Sequence, residues 1–454
     1  MSTRNTSNSL EPREQWGTRF GFMLAAAGSA IGLGNIWRFP FVVGEGGGAA
    51  FVLLYLGFVL LIGLPLLMGE ISIGRKGRAN AMDSYKAVKP KTKWYLNGYI
   101  GIVINFMILS FYSVVAGWAL YYFIQALTGQ LIKPDKDYGA AFGGFITNGF
   151  MPIVWQVLLM TVVILIVMRG VKKGIEKWNN ILMPTLLVLL IILVFRSVSL
   201  ENAQEGLAFF LQPDFSAINS GVILAALGQA FFSLSLASGL YVTYGSYNQN
   251  KSSIPGNATG IVFLDLFVAI MAGLIIFPAV FHYGIDPGSG PDLVFITFPA
   301  IFTDMPFGAL FAVAFFFFVL AAALTSAISL LEVVVAFVKE KFGISRKVAT
   351  LITGSIITAV GVFCALSFGP LAHVTLFDRT IFELFDFVAA EVLLPFAGLV
   401  LSIFLGWVWK PAGVKEEVMK EGNSFPLFKV WSFLIKYVIP VVILVVFLDS
   451  LGII

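Results

Sequence analysis

The chain has 454 residues, of which 58% are hydrophobic and 12% charged, and its net charge is +4. With a mean hydropathy of +0.91, its few polar residues cannot cover the surface of a water-soluble domain. The composition therefore excludes a soluble globular protein and indicates one that crosses a lipid bilayer several times.

Apolar windows of about 20 residues, long enough to cross a bilayer as a helix, recur eleven times along the chain. These windows, numbered spans 1 to 11, are predicted at 18–41, 47–74, 94–127, 150–169, 178–196, 219–247, 258–284, 307–340, 346–368, 380–408 and 430–452. The runs are continuous rather than alternating, which excludes a transmembrane β-barrel. We expect an all-α polytopic membrane protein whose residues 1–454 form a single transmembrane transporter domain.

Lysine and arginine residues are concentrated on one side of the predicted bilayer. The N-terminus, the loops after spans 2, 4, 6, 8 and 10, and the start of span 11 hold 24 of the 29. Because cytoplasmic loops carry such an excess, we expect a cytoplasmic N-terminus and, with eleven spans, an external C-terminus. The protein should be a multi-pass protein of the cell membrane, and its net charge gives no indication of nucleic-acid binding.

Span 1 is interrupted at its middle. The run GSAIGLGNIWRFP, from Gly28 to Pro40, brings several glycines together with Arg38. A helix that only had to sit in lipid would avoid both, because glycine weakens it by about 1 kcal/mol per position and a guanidinium at mid-depth costs several. Backbone groups freed by an interruption must bind something. We expect ions and a small polar ligand there.

Span 6 carries a second interruption, in the run GQAFFSLSLASG from Gly228 to Gly239. Interrupted helices at corresponding positions of two five-helix halves are typical of transporters built from inverted repeats. We expect a 5+5 inverted repeat, with repeat one at 18–196, repeat two at 219–408 and an additional helix at 430–452. The alternative is that these serines and glycines only allow close helix packing. The pairing with span 1 weakens it.

Three runs, GSAIGLGNIWRFP, GQAFFSLSLASG and AALTSAISLLE, resemble the signature segments of the neurotransmitter:sodium symporter family, and the resemblance extends through spans 1 to 10. It implies the LeuT fold, with eleven transmembrane helices of which helices 1 and 6 are broken at the midplane. It also implies a symporter rather than an enzyme, with an amino acid substrate, two co-transported Na+ ions and no organic cofactor. A monomer in the lipid bilayer should suffice for transport.

The resemblance implies residues for sodium site two. They are the carbonyls of Gly28, Ile31 and Ala322 and the hydroxyls of Thr325 and Ser326. A hard cation prefers such oxygen ligands. Taken alone, the two hydroxyls would more simply be explained by bonds to their own helix, and Gly28 is what favours the ion site.

Sodium site one corresponds to Ala30, Asn35, Ser233 and Asp265, and at the last position most of the family has an asparagine. A carboxylate buried in an apolar helix needs a cation or a proton. Beside sodium it would stay ionised and balance the charge of the ion, as chloride does in chloride-dependent members. We therefore expect chloride-independent transport.

Gly32 stands where family members that carry biogenic amines have an aspartate, so the ligand must bring its own carboxylate. This points to an amino acid. The residues expected around it are Ala30, Leu33, Gly34, Ile108, Tyr112, Phe232, Ser233, Ser235, Ser238, Ser326 and Leu330. Ser238 replaces a bulky aromatic residue of a leucine-carrying member, and the extra room predicts that Trp, Phe and Tyr are accepted beside Leu, Ile and Val.

Further charged residues correspond to gates in the family. Arg38 and Asp386 match the external pair, with Phe232 as an aromatic cover between them, and Glu70 matches a carboxylate that supports the broken helices. The inner latch corresponds to Arg13 and Trp16, facing Tyr247 and Glu340, and the hinge to Gly174 and Pro184. Glycine and proline both weaken a helix, so this part of span 5 is expected to unwind.

The function expected from these features is sodium-coupled import of hydrophobic and aromatic L-amino acids by alternating access. A proton-coupled amino acid permease of the same broad fold is the alternative, in which Asp265 or Glu332 would carry the proton. For Glu332 we favour a structural role, because carboxylates inside a membrane often stabilise freed backbone groups. The scattered single charges do not form the continuous polar pore of an ion channel, and no nucleophile, base and orienting group cluster as in an enzyme.

Overall fold

The spans occur in the predicted order and near the predicted bounds. The computed structural model describes residues 14–133, 136–284 and 293–450. In these residues eight helices are long and apolar enough to cross a bilayer unbroken, and two more spans are bent helix pairs. The eleventh, span 6, consists of two pieces that are each too short to cross alone. The all-α membrane fold is thus confirmed.

In the described residues, eight spans are single helices and three are interrupted or bent. The unbroken spans are Ala49–Gly77 (span 2), Tyr95–Leu127 (span 3), Val171–Val198 (span 5), Ile254–His282 (span 7), Gly308–Phe342 (span 8), Arg346–Leu366 (span 9), Ile381–Val408 (span 10) and Phe428–Asp449 (span 11). The interrupted or bent spans are Arg19–Ala30 with Gly34–Glu45 (span 1), Met151–Val167 (span 4) and Ser220–Ser233 with Leu240–Gly245 (span 6). The division into repeats at 18–196 and 219–408 stays a prediction.

Short elements connect the spans. The connecting helices are Ala81–Val88, Tyr138–Ile146, Ala203–Leu211, Phe298–Asp304 and Lys410–Val418, with single 3-10 turns at Phe215–Ala217 and Lys420–Gly422. Two-residue strands, Thr375–Leu376 and Arg379–Thr380, pair in antiparallel fashion. The helix Tyr138–Ile146, which the sequence analysis did not predict, meets span 4 at a bend of 74°.

Several spans contain π-helical turns, in which each backbone hydrogen bond joins residues five apart instead of four and the helix is locally widened. Those inside the spans are Gly34–Arg38, Val59–Gly63, Val171–Glu176, Phe387–Leu393, Phe404–Val408 and Leu434–Val438. Two of them lie at places where the sequence predicts a weak helix, namely the outer half of span 1 and the start of span 5. These two π-helical turns therefore lie in segments where regular α-helical hydrogen bonding is interrupted.

Spans 3 and 8 form the centre of the bundle. Their apolar windows are 78% and 72% buried, whereas that of span 11 is 28% buried and faces outward. Apolar side chains exposed on the outer spans, such as Leu158, Ile192, Leu351 and Val441, provide the surface that lipid would cover. The interrupted spans 1 and 6 lie against this centre, so their freed backbone groups open into protein rather than lipid.

The segment between spans 7 and 8 contributes a short helix that packs against the bundle. Residues 285–292 lie outside the described part of the chain. The remainder forms a π-helical turn, Leu293–Thr297, and the helix Phe298–Asp304. Phe298 stacks on Phe315 of span 8 with ring centroids 4.4 Å apart. This packing holds the short helix against the bundle.

Candidate substrate and ion site

The interruption of span 1 comes where the glycines predict it. The first helix ends at Ala30, and the backbone at Ile31 (ψ 89°) is no longer helical. Hydrogen bonding resumes with the Asn35 amide, which donates to the Gly32 carbonyl at 3.2 Å. A Cβ at Gly32 would lie 2.5 Å from the Ser326 hydroxyl. Only glycine therefore allows span 8 to approach the interruption so closely.

The interruption of span 6 runs from 234 to 239, between its two helical pieces. Ser235 and Ala237 adopt φ values of 50° and 61°, which L-residues seldom adopt. The Glu70 carboxylate of span 2 accepts hydrogen bonds from the amides of Ala237 at 3.0 Å and Gly239 at 3.3 Å. Because no water replaces such partners inside a bilayer, this carboxylate supports the interruption.

A cavity lies where the two interruptions face each other. Its walls are Ser29, Ala30, Gly32, Leu33, Gly34, Ile108, Tyr112, Phe232, Ser235, Ser238, Ser326, Leu330 and Leu394. Of the residues predicted to surround a substrate, Ser233 is missing from this lining, because its hydroxyl points into a neighbouring cluster. The sequence analysis did not include Ser29 or Leu394. Leu394 comes from span 10, where a single leucine among many gives no signal.

The cavity is mostly apolar, with polar groups at one end. The Leu33 amide donates to the Tyr112 hydroxyl at 3.4 Å, which brings spans 1 and 3 together beside the start of the outer half-helix. Other side chains in the lining, such as Ile108, Phe232 and Leu330, are apolar. No charged side chain belongs to the lining. An elongated ligand with one charged end and one apolar end would match this division.

Beside the cavity, a buried cluster joins four spans around Asp265. Asn35 Nδ2 donates to Asp265 Oδ1 at 2.8 Å, and Tyr55 donates to Oδ2 at 3.2 Å. The Ser233 hydroxyl lies 2.9 and 3.0 Å from the two carboxylate oxygens. All four side chains are buried. Three of the four residues predicted for sodium site one, Asn35, Ser233 and Asp265, are therefore brought together, and Tyr55 is an addition that sequence reasoning missed.

A second cluster of oxygens lies on the other side of the interruption of span 1. Ser326 Oγ is 3.4 Å from the Gly28 carbonyl and 3.2 Å from the Ser29 carbonyl. Thr325 donates to the Ala322 carbonyl at 3.0 Å. Of the residues predicted for sodium site two, Gly28 of span 1 and Ser326 of span 8 thus meet in the structure. The Thr325 bond also shows the local helix bonding that the sequence analysis weighed as an alternative.

The external gate residues are close but not in contact. Arg38 and Asp386 approach closely enough to attract each other electrostatically, without an ion-pair contact of 4.0 Å or less. The Arg38 guanidinium instead lies over the ring of Phe232, 4.6 Å from its centroid. The position of the guanidinium over the ring agrees with Phe232 lying between the two charged residues, and their role as an external gate stays a prediction.

On the inner side, the chain before span 1 is held by aromatic and charged side chains. Trp16 Nε1 donates to the Tyr244 carbonyl at 3.0 Å, and the Trp16 amide donates to the Tyr247 carbonyl at 3.3 Å. Arg13 lies outside the described residues. Glu340, its expected partner, accepts hydrogen bonds from the amide and side chain of Asn80 at 2.8 and 2.9 Å. Trp16 and Tyr247 therefore meet as predicted.

Four further charged residues form contacts on this side, and the sequence analysis assigned none of them to the latch. Glu332 accepts from Tyr247 at 2.6 Å and forms a short ion pair with Arg346. Arg346 also pairs with Glu14 at 3.2 Å. Glu176 of span 5 accepts from the Gly17 amide at 2.6 Å. The sequence did not predict these contacts, because the partners of each charged residue come from distant segments of the chain.

Comparison with known proteins agrees with this geometry. The family model described as the sodium:neurotransmitter symporter family matches residues 13–136 and 146–453. An uncharacterized sodium-dependent transporter of Bacillus subtilis, YhdH, is 42% identical over 97% of this chain and 98% of its own. An uncharacterized sodium-dependent transporter of Haemophilus influenzae is 35% identical over 99% of this chain and 100% of its own.

A solved structure shows the same fold. The crystal structure of MhsT in complex with L-phenylalanine superposes with a TM-score of 0.91 at 48% identity, covering 97% of this chain and 100% of MhsT. At this similarity, the arrangement of interrupted spans 1 and 6 is that of the LeuT fold. The resemblance inferred from the three sequence runs is confirmed.

Proposed function

Because the chain belongs to the sodium:neurotransmitter symporter family, and is thus a multi-pass membrane transporter rather than an enzyme, we propose that it imports hydrophobic and aromatic L-amino acids together with sodium and without chloride. The observation that carries the proposal is the cavity between the two interruptions. It is apolar on most of its surface and offers backbone groups and one tyrosine hydroxyl at its polar end.

The polar end suits the charged ends of an amino acid. The Leu33 and Gly34 amides begin the outer half of span 1, where a helix N-terminus favours an anion, and the Tyr112 hydroxyl lies 3.4 Å from the first of them. We assign the substrate carboxylate to this place. The carbonyls of Ala30 and of residues 232–235 would receive the ammonium group. Gly32 adds no side-chain carboxylate that would favour an amine instead.

The apolar end suits a large side chain. Ile108, Phe232, Leu330 and Leu394 contribute apolar walls, while Ser238 contributes a small one. Burial of aromatic or aliphatic surface there would favour binding by about 25 cal/mol per Å². That MhsT crystallises with L-phenylalanine supports the same class of substrate, given 48% identity.

Two clusters of oxygens support two sodium ions. We assign site one to Ala30, Asn35, Ser233 and Asp265, where a carboxylate offsets the charge of the ion. We assign site two to the Gly28, Ile31 and Ala322 carbonyls with the Thr325 and Ser326 hydroxyls. The contact between Ser326 Oγ and the Gly28 carbonyl, which joins spans 1 and 8, supports this assignment. Two sodium ions moving with a zwitterion gain about 4.6 kcal/mol per 100 mV, or roughly three decades of accumulation.

The Asp265 cluster supports transport without chloride. Among the described residues no lysine or arginine forms an ion pair with this carboxylate, so the charge in the cluster matches a bound cation. An anion would face a carboxylate at the same place and gain nothing. Opening and closing would involve the Arg38 and Asp386 pair outside and the Trp16 segment inside, with the protein acting as a monomer.

The experiment uses purified protein in liposomes and a panel of labelled amino acids. Imposed gradients of sodium and of protons are applied separately, at fixed pH and in gluconate or chloride medium. We expect accumulation of Leu, Ile, Val, Phe, Tyr and Trp that requires external sodium and is unchanged in gluconate. Uptake driven by a proton gradient without sodium would instead favour the permease, with Asp265 as the proton carrier.

A further inference from the structure

A side-chain oxygen of span 5 lies beside the end of the first half of span 1 and has no hydrogen-bond partner among the described residues. Asn179 is completely buried. Its Nδ2 donates to the Ile175 carbonyl, one turn earlier, at 2.9 Å. Its Oδ1 has no hydrogen-bond partner in the described part of the protein. Exchanging the two amide atoms would place an oxygen against that carbonyl and lose the one bond, so this orientation is favoured.

The free oxygen lies against sodium site two. A Cβ on Gly28 would be 2.6 Å from Asn179 Oδ1 and 3.2 Å from Thr325 Cβ. The same glycine contributes its carbonyl to the oxygen cluster, 3.4 Å from Ser326 Oγ. The absence of a side chain at Gly28 therefore leaves the Asn179 oxygen next to the site and unscreened from it.

The oxygen is on the cytoplasmic side of that site. In a helix the Cα–Cβ bond tilts toward the N-terminus, while the carbonyls point toward the C-terminus. The basic residues predict a cytoplasmic N-terminus, so the first half of span 1 runs from the cytoplasm toward the middle of the bilayer. The Cβ position at Gly28, 2.6 Å from Asn179 Oδ1, is thus displaced toward the cytoplasm and the Gly28 carbonyl points the other way, so we infer that the oxygen lies on the cytoplasmic side of site two.

Span 5 is weak on the same side. It begins after Gly170, whose φ is 91°, with the π-helical turn Val171–Glu176. Pro184 interrupts its ladder further on. Asn179 lies between these two weak points. If the start of span 5 loosens, water coming from the cytoplasm reaches Asn179 before it reaches Thr325.

From these contacts we propose that Asn179 Oδ1 is the first protein ligand that the sodium ion of site two meets as it leaves for the cytoplasm. A hard cation takes carbonyl and amide oxygens as ligands, and a buried acceptor without a partner is costly to maintain for packing alone. The proposal rests on the proposed function, since it needs sodium at site two. It adds a residue on the inner route that the site itself does not contain.

The test separates sodium binding from the two sides of the membrane. The protein is reconstituted into liposomes with all molecules inserted in the same direction. The external sodium concentration that gives half-maximal uptake is measured first. The internal sodium concentration that halves the initial uptake rate is measured next. For Asn179→Leu, which removes the oxygen but keeps the volume, we expect the internal value to rise about fivefold or more. The external value should stay within about twofold.

Asn180→Leu is the matched control, because this neighbouring asparagine is exposed on the outer face of the same helix. It should change neither value. Asn179→Ala is the second variant, to be used if Asn179→Leu folds poorly. It leaves a small gap instead of a branched side chain, and we expect the same rise in the internal sodium value. An internal value unchanged in both Asn179 variants would show that the oxygen binds only water and overturn the proposal.

Equal shifts of both values would also overturn the proposal, since they would show that Asn179 shapes site two itself. The proposed function fails in a different way. Uptake by the native protein that ignores external sodium would refute sodium coupling before any variant is compared, and this inference would fall with it.

Discussion

Replacing Asp265 with asparagine removes one negative charge from the buried cluster while keeping its shape. The carboxylate lies 2.8 Å from Asn35 Nδ2 and 2.9 Å from Ser233 Oγ, so a sodium ion held by the oxygens of these residues would lie about 4 Å from it. With an effective dielectric constant of about 20, the attraction at that distance is about 4 kcal/mol. We therefore expect Asp265→Asn to weaken sodium binding by roughly a thousandfold.

Chloride should recover part of that loss, because it can supply the missing charge beside the same ion. The assay measures sodium-dependent uptake by Asp265→Asn in gluconate and in chloride, over a wide range of sodium concentrations. Uptake that returns only with chloride would show that the carboxylate replaces the anion. Asp214→Asn removes an exposed carboxylate and should behave like the native protein. Sodium affinity in gluconate within about threefold of native would refute the reasoning.

Three other substitutions test the walls and supports of the cavity. Ser238→Phe should fill the apolar end and lower uptake of tryptophan relative to leucine by about tenfold, as measured by competition; an unchanged ratio would contradict the assigned position. Glu70→Ala leaves two backbone amides of span 6 without acceptors, at a cost of about 1–3 kcal/mol per amide. The midpoint of thermal unfolding should therefore fall, and it should fall less in Glu70→Gln, which keeps one acceptor oxygen. Gly32→Ala places a Cβ 2.5 Å from the Ser326 hydroxyl, and substrate binding should be lost although the protein still folds; native affinity would exclude so close an approach.

The spans and their interruptions could be predicted from sequence because both follow from local chemistry. Continuous apolar windows fix the spans, and glycines around Gly32 and Gly239 weaken the helix whatever surrounds it. The resemblance then placed most of the cavity lining correctly, since it concerns residues on either side of these interruptions. Ser233 was predicted both for sodium site one and for the cavity, and the structure places its hydroxyl against Asp265 and outside the cavity lining. One hydroxyl next to an interruption can point either way, so the sequence did not distinguish the two positions.

Contacts between distant segments could not be predicted in this way. The pairing of Glu332 with Arg346 and Glu14 joins span 8, span 9 and the N-terminal segment, and nothing in the local sequence selects one partner over another. The position of Arg38 over Phe232 depends on a side-chain rotamer. Asn179 looks like many helix asparagines that bond their own backbone, and only the structure shows where its second polar atom points.

The Asp265 cluster has a mechanical consequence. It fastens together one residue from each of four spans: Asn35 of span 1, Tyr55 of span 2, Ser233 of span 6 and Asp265 itself of span 7. In both interrupted spans the fastened residue belongs to the outer half or to its last turn before the interruption. The inner halves, Arg19–Ala30 and Leu240–Gly245, contribute no side chain to it. We therefore expect the cluster to hold the two outer halves to spans 2 and 7, and the two inner halves to be the parts of spans 1 and 6 that can move separately.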